Sequence, residues 1–422
     1  MKSEIIFKTP IEGHYFFGYF DKSPIDKKSK RLLAHRVSFI DRLPNKNDFT
    51  EIGFFDIEEA GDFNVLDKTN AFNWQQGSML QWLGPDHNNS IIFNTRMSDK
   101  FCSKVIDIKN NSTRILEQPI YSVTHDGCFA FSIDFERHYW CRRGYSYAGI
   151  ENQSKNRNIV NDDGIDLVNI STGDTKRIIR IEELIEIQPI STMKDAIHYV
   201  EHVIPNKSGK KIAFLHRWLH DSGIHTRLIC STSDGEEVEV INDSGRVTHF
   251  SWMDDERLIL YGAIENKFNS ARKNKILNKL IIKNILPIYK MIFSGNSMIG
   301  NSPFTKRVSG DAYIHYDLEK RKAKKISNEK LDRDGHPSSP IGISEFFITD
   351  TYPDENSIAK LMIHDLVTDQ THIIDTLHSI KEFDNTPLRC DLHPKCSYDG
   401  KYISIDTMHS GVRSIYVYSY VF

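Results

Sequence analysis

The sequence predicts an all-β fold, a seven-bladed β-propeller, because one unit recurs along the chain and its segments have strand character. A polar turn followed by β-forming residues occurs seven times, and a second β-rich segment follows each copy. Aromatic and β-branched residues favour strands, and clusters of Gly, Asp and Asn favour the hairpin turns between them. A four-stranded unit repeated seven times is typical of a propeller. A pair of large β-sandwiches, the competing fold, would not repeat one unit in this way.

The copies of the turn and its strand share a polar start and an apolar end. In chain order they are DKKSKRLLAHRV (26–37), DHNNSIIFNTR (86–96), HDGCFAFSIDF (125–135), KSGKKIAFLHRW (207–218), DDERLILYGAI (254–264), GISEFFITDTY (342–352) and YDGKYISIDTMH (398–409). The chain ends on the third strand of the last unit. The N-terminal segment EIIF is therefore predicted to supply the outer strand that closes the seventh blade.

The repeat makes residues 1–422 one predicted domain, although the length alone suggests two or three. Lys and Arg number 54 against 57 Asp and Glu, a formal charge of −3, which excludes a basic chain that coats nucleic acid. No apolar run reaches the roughly 18 residues of a membrane span, and the N-terminus has no signal-peptide core. Six cysteines are too few for a disulfide scaffold, so we expect a cytoplasmic protein with reduced thiols.

Uneven spacing between the units predicts insertions. Residues 136–163 and 175–199 are expected to be long loops in and after blade 3, and residues 265–308 interrupt blade 5. This last insertion is basic and amphipathic, and it is predicted to form one or two helices broken at Pro287. It could contact an anionic membrane surface or a partner protein, or pack as a helical cap on the propeller. The sequence leaves the oligomeric state open.

Four histidines occupy nearly the same position in four consecutive units. His202, His249 and His393 each lie eight residues before the residue that opens the following strand, and His336 lies nine residues before it. The innermost strand of each blade lines the channel of a propeller. A shared offset in the repeat therefore predicts that these four side chains converge in the channel.

A thiol accompanies the histidines, since Cys390 lies three residues before the last of them. Imidazoles with a thiolate suit Zn²⁺ or another transition metal. The predicted metal ligands are His249, His336, His393 and Cys390. His202 is expected nearer the substrate, and Asp391 and His409 are spare ligands or groups that orient ligands. The alternative is that the channel histidines bond only to each other, to water and to the backbone.

Arginines and aromatic residues concentrate at one mouth of the predicted channel. They follow strand ends in NTR (94–96) and HRW (216–218), and they fill the loop FERHYWCRRGYSY (135–147). Guanidinium groups pair with carboxylates, and aromatic faces stack on sugar rings, so the mouth predicts an acidic sugar as ligand. The candidate substrate-binding residues are Arg96, Arg137, Arg143, Gln76 and Trp218. The alternative for each arginine is a surface ion pair of little consequence.

The order of these motifs resembles the seven-bladed polysaccharide lyases, namely oligogalacturonate lyase and the ulvan lyases. The motifs that carry the resemblance are QQGSMLQWLG, IIFNTR, SIDFERH, RRGYSY, FLHRW, DGHPS and LRCDLHPKCSYDGKYISID. The resemblance extends from about residue 14 to residue 420. It implies β-elimination of an acidic, uronate-containing oligosaccharide, with no nucleic-acid partner.

That reaction needs a base for the C5 proton, a cation for the carboxylate and an acid for the departing O4. The resemblance implies that His202 is the base, that Arg217 neutralises the carboxylate, and that Tyr147 or Tyr145 is the acid. It also implies a divalent metal, Zn or Mn, among the late-blade histidines. The alternative function is a non-catalytic glycan-binding propeller in surface-polysaccharide biosynthesis.

Overall fold

The computed structural model describes residues 2–59, 61–155, 157–220, 223–263, 310–340 and 343–421, together with six single positions between 270 and 277. The predicted insertion at 265–308 lies outside these residues apart from the six positions. Seven antiparallel sheets surround a central channel, so the predicted seven-bladed propeller is confirmed. None of the described helices is long and apolar enough to cross a membrane.

The described strands are numbered in chain order. They are β1 (Lys2–Lys8), β2 (His14–Phe16), β3 (Arg31–Val37), β4 (Thr50–Asp56), β5 (Asn64–Thr69), β6 (Gln81–Trp82), β7 (Ser90–Met97), β8 (Lys100–Asp107), β9 (Ser112–Leu116), β10 (Ser122–Val123), β11 (Phe129–Ser132), β12 (Gly164–Asn169), β13 (Thr175–Arg180), β14 (Ile197–Pro205), β15 (Lys211–His220), β16 (Gly223–Thr232), β17 (Val238–Gly245), β18 (Val247–Trp252), β19 (Arg257–Ala263), β20 (Asp311–Asp317), β21 (Lys322–Lys325), β22 (Phe346–Asp350), β23 (Ile358–Asp365), β24 (Gln370–His378), β25 (Lys395–Cys396), β26 (Tyr402–Thr407) and β27 (Ser414–Val421). The helices are α1 (Phe135–Cys141), α2 (Ile181–Glu186) and a 3-10 helix at Glu329–Leu331.

Each blade is built from consecutive antiparallel strands. The first five are β2–β5, β6–β9, β10–β13, β14–β17 and β18–β21. The sixth contains β22–β24, and an isolated bridge between Ser338 and Ile348 takes the inner position. The seventh has the order β25, β26, β27, β1. The N-terminal strand therefore closes the ring as predicted, with Lys2 opposite Val421 and Lys8 opposite Tyr416.

The blades bury both faces because alternate side chains of a strand point to opposite sides of its sheet. In β15, Ile212 and Phe214 pack in the core shared with blades 2 and 3. Ala213 and Leu215, on the other face, pack against blade 5. This pattern produces a continuous apolar run in the sequence rather than strict alternation of apolar and polar residues.

The segments expected as loops around blade 3 contain regular structure. α1 consists of the segment FERHYWC, and the side chain of Asp134, directly before it, accepts a hydrogen bond from Arg137 N and caps the helix. The segment 175–199 holds β13, α2 and the start of β14. The expectation of long loops was therefore wrong for these parts, because short local elements fit between strands without changing the repeat.

A segment between β2 and β3 crosses the channel and places side chains in it. The backbone amides of Phe17 and Gly18 each donate to one carboxylate oxygen of Asp406 in blade 7, at 2.9 Å. Gly18 has φ +120°, and a Cβ on it would lie 2.7 Å from the backbone of Gln76. Glycine is therefore required at this crossing. We call residues 17–22 the channel segment.

Candidate functional site

The four channel histidines lie together in the structure. The ring centroids of His249 and His336 are 4.2 Å apart, and those of His336 and His393 are 4.3 Å apart. His202 stacks beside His249 at 6.1 Å. All four side chains are buried. One offset in the repeat thus corresponds to one cluster in space, although up to 191 residues separate its members.

Three of these histidines have an acceptor at Nδ1. The pairs are His249 with Asp334 at 3.2 Å, His336 with Asp350 at 2.9 Å, and His393 with the carbonyl of Gly18 at 3.1 Å. An acceptor at Nδ1 favours the tautomer whose Nε2 carries a lone pair, which is the usual way in which proteins orient metal-binding imidazoles.

The Nε2 atoms of the three rings face a shared space. Those of His249 and His336 each lie 3.5 Å from the Tyr352 hydroxyl. The Nε2 of His393 is buried and has no hydrogen-bond partner among the described residues. A buried acceptor without a partner is costly, so this atom marks a place where a ligand would be stabilised.

A carboxylate completes the donor set. Among the described residues, His336, Asp391 and His393 form a group whose possible ligand atoms all lie within 4.8 Å of one another. Asp391 also pairs with the guanidinium of Arg389, whose Nη2 lies 2.8 Å from its Oδ2. Two imidazoles and a carboxylate suit Zn²⁺ or Mn²⁺, so the residues present fit the metal that the sequence predicts.

Cys390 lies outside this group. Burial raises the pKa of its thiol to about 12, with the charges of Arg413 and Asp406 nearby. Without a cation beside it, a thiol in such surroundings stays protonated. Asp391, which the sequence offered only as a spare ligand, lies in the group that Cys390 was expected to join. His409 is exposed and contacts Tyr416 instead of the cluster.

Burial shifts the protonation of the cluster. It lowers the pKa of His249 to about 4, and the neighbouring His336 adds to this effect. Burial also lowers the pKa of His202 and of His393 well below the usual range. For His336 burial acts in the same direction, but the charge and hydrogen bond of Asp350, with the charges of Asp391 and Asp334, together outweigh burial and raise the pKa. His202, His249 and His393 are therefore neutral near pH 7, as metal ligands and general bases must be.

A buried carboxylate that sequence reasoning missed lies next to the cluster. Glu201 is fully buried and accepts hydrogen bonds from His138 Nε2 at 2.8 Å and Arg142 Nη1 at 2.6 Å. The Nε of Arg217 forms a third, ionic contact with it. Burial alone would raise the pKa of Glu201, but the charges of Arg142 and Arg217 hold it well below the usual range. Its position directly before His202 on an inner strand was the signal available in the sequence.

Tyr19 was also missed, because the channel segment lies outside the repeat. Its hydroxyl lies 2.7 Å from His202 Nε2, and its ring centroid lies 5.2 Å from that of His393. Tyr19 therefore connects the proposed base to the metal-ligand group.

Four further predicted residues are the candidate acid Tyr145 and the substrate-binding candidates Arg96, Arg143 and Gln76. Tyr145 is half-buried, and the guanidinium of Arg142 lies 3.7 Å from its ring centroid. Arg143 is exposed, and Arg96 donates to the carbonyl of Lys46 at 2.6 Å. Gln76 is buried, and its Nε2 donates to the Tyr121 hydroxyl at 2.7 Å.

Three predicted site residues lie in the core instead. Tyr147 is fully buried, stacks on Phe135 at 5.0 Å and bonds through its hydroxyl to Asn94. Trp218 is fully buried, and its indole donates to the Thr192 hydroxyl at 3.1 Å.

Arg137 is the third of these residues, and its guanidinium donates hydrogen bonds to backbone carbonyls, including that of His198 at 2.8 Å. None of the three can contact a substrate from these positions. Tyr145 is therefore the remaining candidate acid.

Comparisons with known proteins identify the fold. No family model and no curated protein matches the chain. A solved structure of oligogalacturonate lyase in complex with manganese is 13% identical, with a TM-score of 0.63, covering 99% of this chain and 93% of that one. Oligogalacturonate lyase from Vibrio parahaemolyticus is 12% identical, with a TM-score of 0.59 and the same coverage. The chain shares the seven-bladed fold of these lyases.

Proposed function

We propose that the protein is a polysaccharide-lyase-like enzyme that cleaves an acidic, uronate-containing oligosaccharide by metal-assisted β-elimination. The observation that carries this proposal is the proximity of the possible metal ligands to the arginines that could bind a carboxylate. The cluster of imidazoles and carboxylates adjoins the arginines through Glu201 and His202, which are consecutive on β14, and Arg142 in turn lies over the ring of Tyr145. The fold shared with a manganese-bound oligogalacturonate lyase supports the same chemistry.

His336, Asp391 and His393 are the proposed metal ligands, with His249 beside them. When bound, a divalent cation there would supply positive charge to the uronate carboxylate and make the adjacent C5 proton more acidic. Whether Zn or Mn is held is decided by metal analysis of the protein.

Arg217, and Arg142 beside it, are proposed to bind the substrate carboxylate. Both guanidinium groups are held in place by Glu201, which leaves each of them anchored on a buried anion. Fixed donors aimed at a carboxylate stabilise the charge that develops when C5 loses its proton. This pair therefore supplies recognition and transition-state stabilisation together.

The proton path follows from the contact between Tyr19 and His202. The Tyr19 oxygen takes the C5 proton while the Tyr19 hydroxyl proton passes to His202 Nε2, 2.7 Å away. The C5 electron pair forms the C4–C5 double bond and the C4–O4 bond breaks. Tyr145 donates a proton to O4, so the products are a shortened oligosaccharide and a 4,5-unsaturated uronate.

A glycan-binding role without catalysis is the second candidate. One observation favours it: His202 is fully buried beneath Tyr19, so it has no direct access to a ligand. Such a protein would keep the arginine-lined mouth and bind acidic oligosaccharides unchanged.

The absorbance of a 4,5-unsaturated uronate in the near ultraviolet separates the two functions. We expect oligogalacturonates and related uronate oligomers to give rising absorbance with metal-loaded protein, and Tyr145→Phe to slow it at least tenfold. The exposed substitution Ser112→Ala serves as the control. If the oligomers raise the melting temperature of the protein but cause no absorbance change, the proposed elimination activity is wrong and the glycan-binding function is supported.

A further inference from the structure

A second concave site lies at the other end of the channel, with a volume of about 160 Å³. In each of four inner segments, a channel histidine is followed, two or three residues later in the chain, by a residue that lines this cavity. The pairs are His202 and Pro205, His249 and Ser251, His336 and Ser338, and His393 and Lys395. Inner strands of a propeller run in one direction along the channel, so the two sites lie at opposite ends.

Phe20 of the channel segment separates the two sites. Its ring centroid lies 5.7 Å from that of His249 and 5.4 Å from that of His336. The same residue lines the cavity. The far cavity is thus distinct from the histidine cluster.

Small polar side chains from many blades surround the cavity. The hydroxyl-bearing members are Ser23, Ser122, Thr124, Ser251, Ser338, Ser339, Ser397 and Tyr398. Ser122 donates to the carbonyl of Val203 at 2.7 Å, which leaves its oxygen lone pairs as acceptors. The Oγ of Ser339 is buried without a hydrogen-bond partner among the described residues.

The buried charged groups of the lining are paired, so the inner part of the cavity is close to neutral, and a further lysine, Lys207, is exposed. Lys22 Nζ lies 2.5 Å from Asp21 Oδ2, and Lys395 Nζ lies 3.1 Å from Asp406 Oδ2. An ammonium has three donors, and within the described part of the chain each of these makes one hydrogen bond. The Oδ1 of Asp21 is buried and accepts none from those residues. Donors and acceptors are therefore both available.

Two tryptophans, Trp82 and Trp252, add aromatic surface to the lining. The indole nitrogens of Trp82 and Trp252 donate to the carbonyls of Pro24 and Ile204, at 2.8 and 2.9 Å. With their polar atoms satisfied, the rings offer only apolar surface. Aromatic surface beside paired charges and hydroxyls matches a molecule whose carbon skeleton carries several hydroxyl groups.

We propose that this far cavity binds a small neutral polyol of about monosaccharide size. Sugar hydroxyls both donate and accept, which suits the ammonium donors and the free acceptors of Asp21 and the serines. A buried water needs about 10–15 Å³ of cavity volume, so 160 Å³ corresponds to roughly ten waters, similar in number to the non-hydrogen atoms of one hexose. The proposal does not depend on the proposed elimination activity.

Ligand-observed NMR titration with D-galactose tests the site in the full-length protein. We expect saturable binding that weakens at least about tenfold in Ser251→Leu, because the larger side chain fills the cavity. Ser112→Leu adds the same bulk on the exposed outer strand β9 and should bind like the original protein. Ser339→Leu provides a second blocking variant if Ser251→Leu does not fold.

Two competition experiments test the chemical class of the ligand and the location of its site. Inorganic phosphate should not compete with galactose, because the two buried ammonium groups of the lining, on Lys22 and Lys395, are already neutralised by carboxylates. An oligogalacturonate should not displace galactose, because it would occupy the other mouth. Equal galactose binding by both cavity-filling variants, competition by phosphate, or no saturable galactose binding would each overturn the proposal. None of these results would alter the absorbance assay for elimination.

Discussion

Asp391 has two kinds of partner, a guanidinium on one side and two imidazoles on the other. Burial raises its pKa, but the charge and hydrogen bonds of Arg389, together with His336 and His249, outweigh burial and lower the pKa below its usual value, which keeps Asp391 ionised. An ionised carboxylate beside two imidazoles is a ready ligand for a divalent cation. The neighbouring Cys390 remains a protonated thiol because burial opposes its ionisation.

We therefore expect Asp391→Asn to reduce bound metal, measured by elemental analysis of the purified protein, from about one per chain to a small fraction. Cys390→Ser is the matched control at the adjacent residue, and it should keep its metal. If Cys390→Ser loses its metal and Asp391→Asn keeps it, Cys390 is a metal ligand, as the sequence predicts, and Asp391 is not.

Glu201 is a buried anion shared by Arg142, Arg217 and His138. Removing its charge would leave two guanidinium groups without their counter-charge in a desolvated position. Breaking a buried ionic network by removing one partner costs about 3–5 kcal/mol. Glu201 is thus a positioning residue for both arginines rather than a group that touches substrate.

Glu201→Gln should lower the free energy of unfolding by about 3 kcal/mol and raise KM for uronate oligomers more than it lowers kcat. Urea unfolding and steady-state absorbance kinetics measure the two effects. Glu236→Gln, at an exposed glutamate, is the control. A variant with the stability and KM of that control would show that Glu201 does not position the arginines.

At the scale of elements, the channel segment joins blade 1 to the site. Asp406 in blade 7 holds its backbone, and its own carbonyl at Gly18 holds His393. The segment therefore links the position of Tyr19 to the position of the proposed metal ligands. The channel segment, which is not part of the repeat, thus positions the residues at the centre of the propeller.

Gly18→Ala should destabilise this element, because a left-handed backbone and a Cβ 2.7 Å from the Gln76 backbone both oppose a side chain. We expect a loss of about 1–3 kcal/mol and a fall in elimination rate as Tyr19 moves away from His202. Thermal unfolding and the absorbance assay measure these changes. Gly61→Ala is the control, since a Cβ there meets nothing within 4 Å. Equal behaviour of the two variants would contradict the role of the channel segment.

Elements also show what could be predicted from the sequence. The offset shared by His202, His249, His336 and His393 places them together because the repeat converts a sequence position into a spatial one. Tyr19 has no such offset, and only the fold brings it to the channel. Short segments before an inner strand are equally difficult, because Cys390 and Asp391 are adjacent and local backbone direction decides which one faces the cluster.

At the scale of the whole molecule, the ring is held closed by a strand from the opposite end of the chain. β1 pairs with β27 in blade 7, and Phe7 reaches the core of blade 1, with its ring centroid 5.5 Å from that of Phe55. The closing strand thus joins two neighbouring blades through one side chain. Pairing with β1 also covers the side of β27 that would otherwise be the outer edge of this blade.

Phe7→Ala should weaken this closure, because it removes a side chain that is 6% exposed from the core between the first and last blades. Deleting a buried aromatic ring costs about 3–5 kcal/mol. Ile6→Ala, in the same strand but 38% exposed, should cost much less and is the matched control. Urea unfolding compares the two, and limited proteolysis should cut the N-terminal segment faster only in Phe7→Ala. Equal stability and equal cleavage would mean that the ring does not depend on this contact, and that the β1–β27 hydrogen bonds alone hold it closed.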